Sequence, residues 1–206
     1  MSILIFLNGA GSSGKTSIAR AIQHLSDKPW LTFGIDTFIE MTPYPTADKN
    51  KGDYLVFTSG TNKFGPTTRV EATEKGAKLF QCMAAFTALV LNAGHNLILD
   101  EVLLSDEQLS QYLSNLSPDH TVYFVGVYCD LETMQEREIL RRDRTIGLSN
   151  DQFSRVHKGL REYDFTVDTS NCSTFEAAKK ILEYVSMNLT PQGFLNTRQI
   201  ISHDKT

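Results

Sequence analysis

Residues Gly9-Ala10-Gly11-Ser12-Ser13-Gly14-Lys15-Thr16 fit the pattern G-x-x-x-x-G-K-[S/T] of a phosphate-binding loop. Such a loop works only between a strand and a helix. The apolar run Ile3-Leu4-Ile5-Phe6-Leu7 precedes it, and a helical stretch from Ser17 to Leu25 follows. Glycines let the backbone approach a phosphate closely, with N–H groups turned inward. The start of a helix adds partial positive charge. Lys15 is placed to reach β- and γ-phosphates, and Thr16 to offer its hydroxyl to Mg²⁺. The competing explanation is a Gly/Ser-rich turn that matches by chance. The strand–loop–helix setting argues against it.

The rest of the chain fits that start. Its 206 residues suit one domain with room for a small lid. A net charge of −4 leaves no nucleic-acid footprint. No apolar run approaches membrane-spanning length, and the N-terminal run is too short and lacks the basic leader of a signal peptide. Cys82, Cys129 and Cys172 form neither a CxxC pair nor a zinc-spaced cluster. Reduced thiols in a cytoplasmic protein are therefore expected, as small buried or half-buried side chains.

Strand-like runs at Ile3–Leu7, Leu31–Ile35, Asn96–Leu99, Val122–Tyr128 and Phe165–Val167 alternate with helical stretches. The helices are expected at Thr16–Leu25, Val70–Ala93, Asp106–Leu113, Leu131–Arg142, Asn150–Leu160 and Thr174–Met187. Nearly all-apolar strands belong in a parallel sheet covered on both faces. The alternation predicts an α/β, doubly wound architecture. One region breaks the rhythm. Between Pro43 and Pro66, Asp53–Phe57 reads as a strand, the next five residues as a turn, and Lys63-Phe64 as a return. This predicts a hairpin inserted after the second strand, of the kind that serves as a lid or binding loop. The alternative is a disordered surface loop, against which Tyr44, Tyr54, Phe57 and Phe64 weigh. From Thr190 onward the sequence is polar and aperiodic and is expected to fray. The expected layout is a single domain over residues 1–188, with 43–66 as the inserted hairpin and 189–206 as a polar tail.

Three further groups carry chemistry. The strand His95-Asn96-Leu97-Ile98-Leu99 ends in Asp100-Glu101, a Walker B-like pattern in which an acid holds Mg²⁺ directly or through water. Many strands end in an acid, so this reading leans on the loop. Asp36 ends the second strand, where ligands gather in open α/β sheets. It is placed either to accept a hydroxyl proton or to cap a helix over Thr37–Met41, and the residues alone leave these even. Arg137, Arg141 and Arg144, spaced i, i+4, i+7, would share one helix face. Guanidinium groups suit a transferring phosphoryl group; the competing reading is a solvated face paired with Glu136, Glu138 and Asp143. Asn50-Lys51-Gly52-Asp53 matches a guanine-reading N-K-x-D element. It lies inside the insertion instead of after a later strand, and reads as coincidence.

With these residues in view, the chain resembles the chloramphenicol 3-O-phosphotransferase family of P-loop kinases. The resemblance is carried by Phe6-Leu7-Asn8-Gly9 through Thr16, by Pro29-Trp30-Leu31-Thr32-Phe33-Gly34-Ile35-Asp36-Thr37, by Leu97-Ile98-Leu99-Asp100-Glu101, and by Tyr163-Asp164-Phe165-Thr166-Val167-Asp168-Thr169-Ser170. It implies a P-loop nucleoside-triphosphate hydrolase fold with a five-stranded parallel sheet of the nucleotide-kinase type. It implies ATP with Mg²⁺, and a small-molecule hydroxyl as acceptor, with antibiotic resistance as the family's setting. Asp36 matches the family's base, Asp100 a second active-site carboxylate, and Arg137, Arg141 and Arg144 its lid arginines. Asp168, Thr169 and Ser170 fall where the fold passes the adenine. The expected site is thus Asp36, Lys15 and the three arginines for catalysis, Gly9–Thr16 and Asp168–Ser170 for the nucleotide, and Thr16 with Asp100 for the metal. The alternative is an ATP-binding switch without small-molecule kinase activity. Neither a nucleic-acid nor a membrane partner is expected.

Overall fold

A computed structural model of the chain describes residues 2–43, 52–141, 145–159, 161–187 and 190–203. Five parallel strands form its centre: β1 (Ile3–Asn8), β2 (Trp30–Gly34), β5 (Asn96–Glu101), β6 (Thr121–Tyr128) and β7 (Phe165–Asp168), in the order β2-β5-β1-β6-β7. Helices α1 (Lys15–Leu25), α2 (Ile35–Glu40), α3 (Glu74–Asn92), α4 (Asp106–Asn115), α5 (Leu131–Leu140), α6 (Leu148–Gln152), α7 (Thr174–Ser186) and α8 (Gly193–His203) surround it. Strands β3 (Leu55–Asn62) and β4 (Gly65–Ala72) form a separate antiparallel hairpin.

The period of two in β1 divides the core. Leu4 and Phe6 are fully buried with Met83 of α3, Leu109 of α4 and Phe194 of α8. Ile5 and Leu7 are fully buried on the opposite face with Ile18 and Ile22 of α1 and Ile181 of α7. Burying each such side chain stabilises the fold by roughly 1.5–3 kcal/mol. A strand covered on both faces has no polar side, which is why these runs read as continuous apolar sequence.

Several boundaries differ from the sequence expectation. The hairpin spans Leu55–Ala72, with Asn62 paired to Gly65, not residues 43–66. The segment 44–51, including Tyr44 and part of the guanine-reading match, lies outside the described residues. The long helix begins at Glu74, not Val70, because Thr73 caps it by accepting the Gly76 N–H at 3.2 Å. The β-branched residues Thr67, Thr68 and Val70 lie in the preceding strand. Helix α5 stops at Leu140, where Arg141 turns to φ −85°, ψ 92°. Helix α6 covers five residues and does not run on towards residue 160.

The C-terminal segment is corrected most. It is a helix, and Phe194, Thr197 and Ile201 are buried. Phe194 lies 6.1 Å from Phe6 and 5.9 Å from Phe124, ring centre to ring centre. Asp164 anchors the start of α8 by accepting the Gln192 and Gly193 N–H groups at 2.6 and 2.7 Å. The apolar positions are few and Thr197 stands among them, so the stretch looks polar in sequence. Among the described residues, no helix is long and apolar enough to cross a membrane.

Candidate active site

The parallel pairing of β1 with β5 sets Leu7 opposite Asp100 and Asn8 opposite Glu101. The acids therefore lie level with the start of the loop Gly9–Thr16, at the carboxyl ends of the strands. Lys15 is 5% exposed; its Nζ donates to the Ala10 carbonyl at 2.9 Å and lies 3.5 Å from Asp100 Oδ1. Thr16 Oγ1 donates to Asp100 Oδ2 at 2.5 Å. On the other side of β5, Gly34 of β2 pairs with Asp100. A Cβ at Gly34 would lie 2.2 Å from the Asp100 carbonyl oxygen, so only glycine allows this approach. Two residues later, Asp36 stands exposed in the first turn of α2. A small open cleft is lined by Ser12, Lys15, Thr16, Asp36, Asp100 and Arg141, among others.

Asp100 and Glu101 point to opposite faces of β5, as successive strand residues must. Glu101 is buried, and accepts the Tyr112 hydroxyl at 2.5 Å and the Val102 N–H at 2.9 Å. Burial pushes its pKa up to about 7, outweighing both hydrogen bonds, which pull the other way. Burial, with Glu101 beside it, also raises the Tyr112 phenol well above its usual value. Only the first acid of the pair serves the cleft.

The predicted arginines separate. Arg137 braces the loop Gly9–Thr16 from outside: its guanidinium donates to Thr169 Oγ1 at 3.1 Å, to the Thr169 carbonyl at 2.8 Å, and to the Ser12 carbonyl at 3.4 Å. Arg141 leaves the helix and lines the cleft. The common helix face expected for them does not form, because α5 ends between them. Arg144 lies outside the described residues. Asp168, Thr169 and Ser170 come together as a turn behind the loop. Thr169 Oγ1 donates to the Ser13 carbonyl at 2.8 Å. Asp168 Oδ1 accepts the Ser170 N–H at 2.8 Å.

Two residues escape a motif search. Asn8, fully buried just before the loop, accepts the Leu103 N–H at 2.9 Å and donates to the Val156 carbonyl at 3.0 Å and to the Tyr163 hydroxyl at 2.7 Å. Its signal was a polar residue closing an apolar strand. Gln152 accepts the Gly11 N–H at 2.7 Å from more than a hundred positions away, and nothing in its neighbourhood marks it. Ser12 holds φ +63°, a left-handed conformation unusual for a residue other than glycine. Among the described residues, no cluster of three or more His, Cys, Asp or Glu could hold a metal ion. A cation here would rest on Thr16, Asp100 and the oxygens of a bound phosphate.

The sheet order and loop define a P-loop kinase fold, and solved structures agree. The chain superposes on a sugar kinase from Janibacter sp. HTCC2649 with a TM-score of 0.60 at 15% identity, covering 90% of this chain and 95% of that one. It superposes on the Mycobacterium tuberculosis APS kinase, solved with AMPPNP and APS, with a TM-score of 0.57 at 11% identity, covering 90% and 98%. Against shikimate kinase from Acinetobacter baumannii the TM-score is 0.51 at 14% identity, covering 91% and 95%. In sequence, a protein of Mycobacterium tuberculosis strain H37Rv that carries a provisional O-phosphotransferase name is 30% identical over 201 residues, 95% of this chain and 88% of that protein. The chain belongs to the chloramphenicol phosphotransferase-like family, whose model matches residues 2–186. The enzyme class that goes with this membership is the small-molecule kinases.

Proposed function

We propose that this protein transfers the γ-phosphate of ATP to a hydroxyl group of a small molecule. The observation that carries the reading is a single cleft bringing Lys15, Thr16 and Asp100 together with Asp36 and Arg141. Lys15 and the loop N–H groups bind the phosphates. Thr16 and Asp100, already in contact, fit Mg²⁺, which keeps most of its ligands as water and phosphate oxygen and needs few from the protein. When bound, the ion would supply positive charge to the phosphate groups. Asp36 accepts the proton of the acceptor hydroxyl. Arg141 offers charge to the transferred group. Arg137 works indirectly, by fixing the loop against Thr169, beside which the adenine is placed.

The acceptor side is where the family name is least binding. The hairpin carries Phe57, Lys63 and Phe64, with Tyr54 just before it, a more aromatic and basic set than an antibiotic-specific pocket calls for. Chloramphenicol is therefore one acceptor to test among sugars, polyols and aromatic alcohols. ADP release from Mg²⁺·ATP, followed across that panel, is expected to rise at least about tenfold over background with the true acceptor, a modest part of what positioned phosphoryl transfer achieves. Release that stays at background with every acceptor class would favour the ATP-binding switch.

A further inference from the structure

Helix α6 lies between the phosphate loop and the hairpin and is tied to both. Towards the loop, Gln152 Oε1 accepts the Gly11 N–H at 2.7 Å. Towards the hairpin, Asn150 is buried and its Nδ2 donates to the Pro66 carbonyl at 2.7 Å. Asn62 Nδ2 returns a bond to the Asn150 carbonyl at 3.1 Å. The Thr68 N–H donates to the Gly147 carbonyl at 3.0 Å, and Thr68 Oγ1 to the Ile146 carbonyl at 2.8 Å. Phe64 meets Phe153 edge-on at 5.7 Å.

Nothing in this arrangement leaves α6 free to shift alone. Glu138 of α5, buried, accepts the Gly147 N–H at 2.8 Å, the Ser149 N–H at 3.0 Å and the Ser149 hydroxyl at 3.1 Å. Gln135 Nε2 donates to Asn150 Oδ1 at 2.7 Å and so fixes which way its carboxamide faces. A helix of five residues with this many outside bonds moves with its partners as one body.

We infer that Gln152 and Asn150 are positioning residues that make the hairpin follow the phosphate loop, so that a nucleotide in the loop is felt on the acceptor side. The inference rests on the ATP reading above. A phosphate that draws the loop around itself fixes Gly11. Gln152 then carries that restraint into α6, and Asn150 carries it on to the turn of the hairpin. By linkage, an acceptor that settles the hairpin tightens the loop on its nucleotide to the same degree.

Hydrogen exchange read by mass spectrometry on the β3–β4 peptides, with and without saturating Mg²⁺·AMPPNP, tests this in the full chain. In the wild type, AMPPNP is expected to slow hairpin exchange by about fivefold or more, the low end of ordinary coupling between sites. Gln152→Met keeps the side-chain length and removes the acceptor oxygen. Asn150→Asp keeps the oxygen that faces Gln135 and removes the donor to Pro66. Each is expected to abolish the response, and the double variant to do no more than either single, because the two act in series. Gln152→Met, at a half-buried position, is the arm that survives if Asn150→Asp fails to fold. A wild-type response in Gln152→Met, or bound AMPPNP with an unresponsive wild-type hairpin, overturns the link. Calorimetry that finds no AMPPNP binding by the wild type overturns the ATP reading instead.

Discussion

Asp36 and Glu101 are two carboxylates near one loop with opposite fates. Asp36 stands exposed at the head of a short helix. If it takes the acceptor proton, Asp36→Asn should lower turnover by about a hundredfold or more, the usual worth of a positioned base. Calorimetry should find AMPPNP affinity within about threefold of wild type, since a base acts on the acceptor and not on the nucleotide. A variant that keeps most of its turnover would remove Asp36 from that role. Glu101 instead ties the end of β5 to α4 through Tyr112. Its carboxyl holds a proton more tightly folded than unfolded, rising from 4.5 to about 7. Its stabilising contribution is therefore full below pH 4.5 and lost as pH rises through about 7. The total is about 3 kcal/mol, at roughly 1.4 kcal/mol per pH unit of displacement. Glu101→Gln should flatten that fall, which urea unfolding at pH 5 and pH 8 will read; an unchanged pH dependence would contradict the assignment.

Elements differ in how much they disclose. The motif and the apolar strands were readable because one local rule decides each: phosphate needs glycine-bearing backbone, and a doubly covered strand needs apolar side chains. The hairpin was readable as an interruption but not in its extent. Its second strand, β4, takes its partner from β3 and its end from Thr73, and neither appears as a period in the sequence. The arginine face failed for a similar reason, since the stop of α5 after Leu140 leaves no breaker residue to see. Gly147 illustrates the tertiary side. It holds φ +94°, and a Cβ there would lie 2.8 Å from the Thr68 nitrogen and 2.9 Å from the Thr67 carbonyl carbon. Gly147→Ala should therefore cost about 1–3 kcal/mol in denaturant unfolding, from left-handed strain plus displacement of the hairpin. Limited proteolysis should cut the hairpin faster. A variant as stable and as protected as wild type would show that the hairpin does not need this contact.

Across the whole molecule, the sheet has two covered faces, and the chain completes them at different times. The face of α1 and α7 was foreseeable, since both helices carry a clear apolar stripe. The other face needs α8, whose sequence shows too few apolar residues to announce a buried helix. Phe194→Ala should destabilise the protein by roughly 3–5 kcal/mol, the usual cost of emptying a buried aromatic site. At about 2–4 °C per kcal/mol for a chain of this size, a fall in melting temperature of roughly 6–20 °C follows. A shift under a few degrees would place α8 outside the cooperative core. The position of α8 also orders events during synthesis. Phe6 packs against Tyr112, Phe124 and Phe194, and the last of these rings is made long after Phe6 itself. A translating ribosome therefore holds a chain whose phosphate loop hangs from a half-covered strand. Nascent chains of this protein should need shelter for that apolar face until α8 emerges, and their nucleotide binding should begin only then.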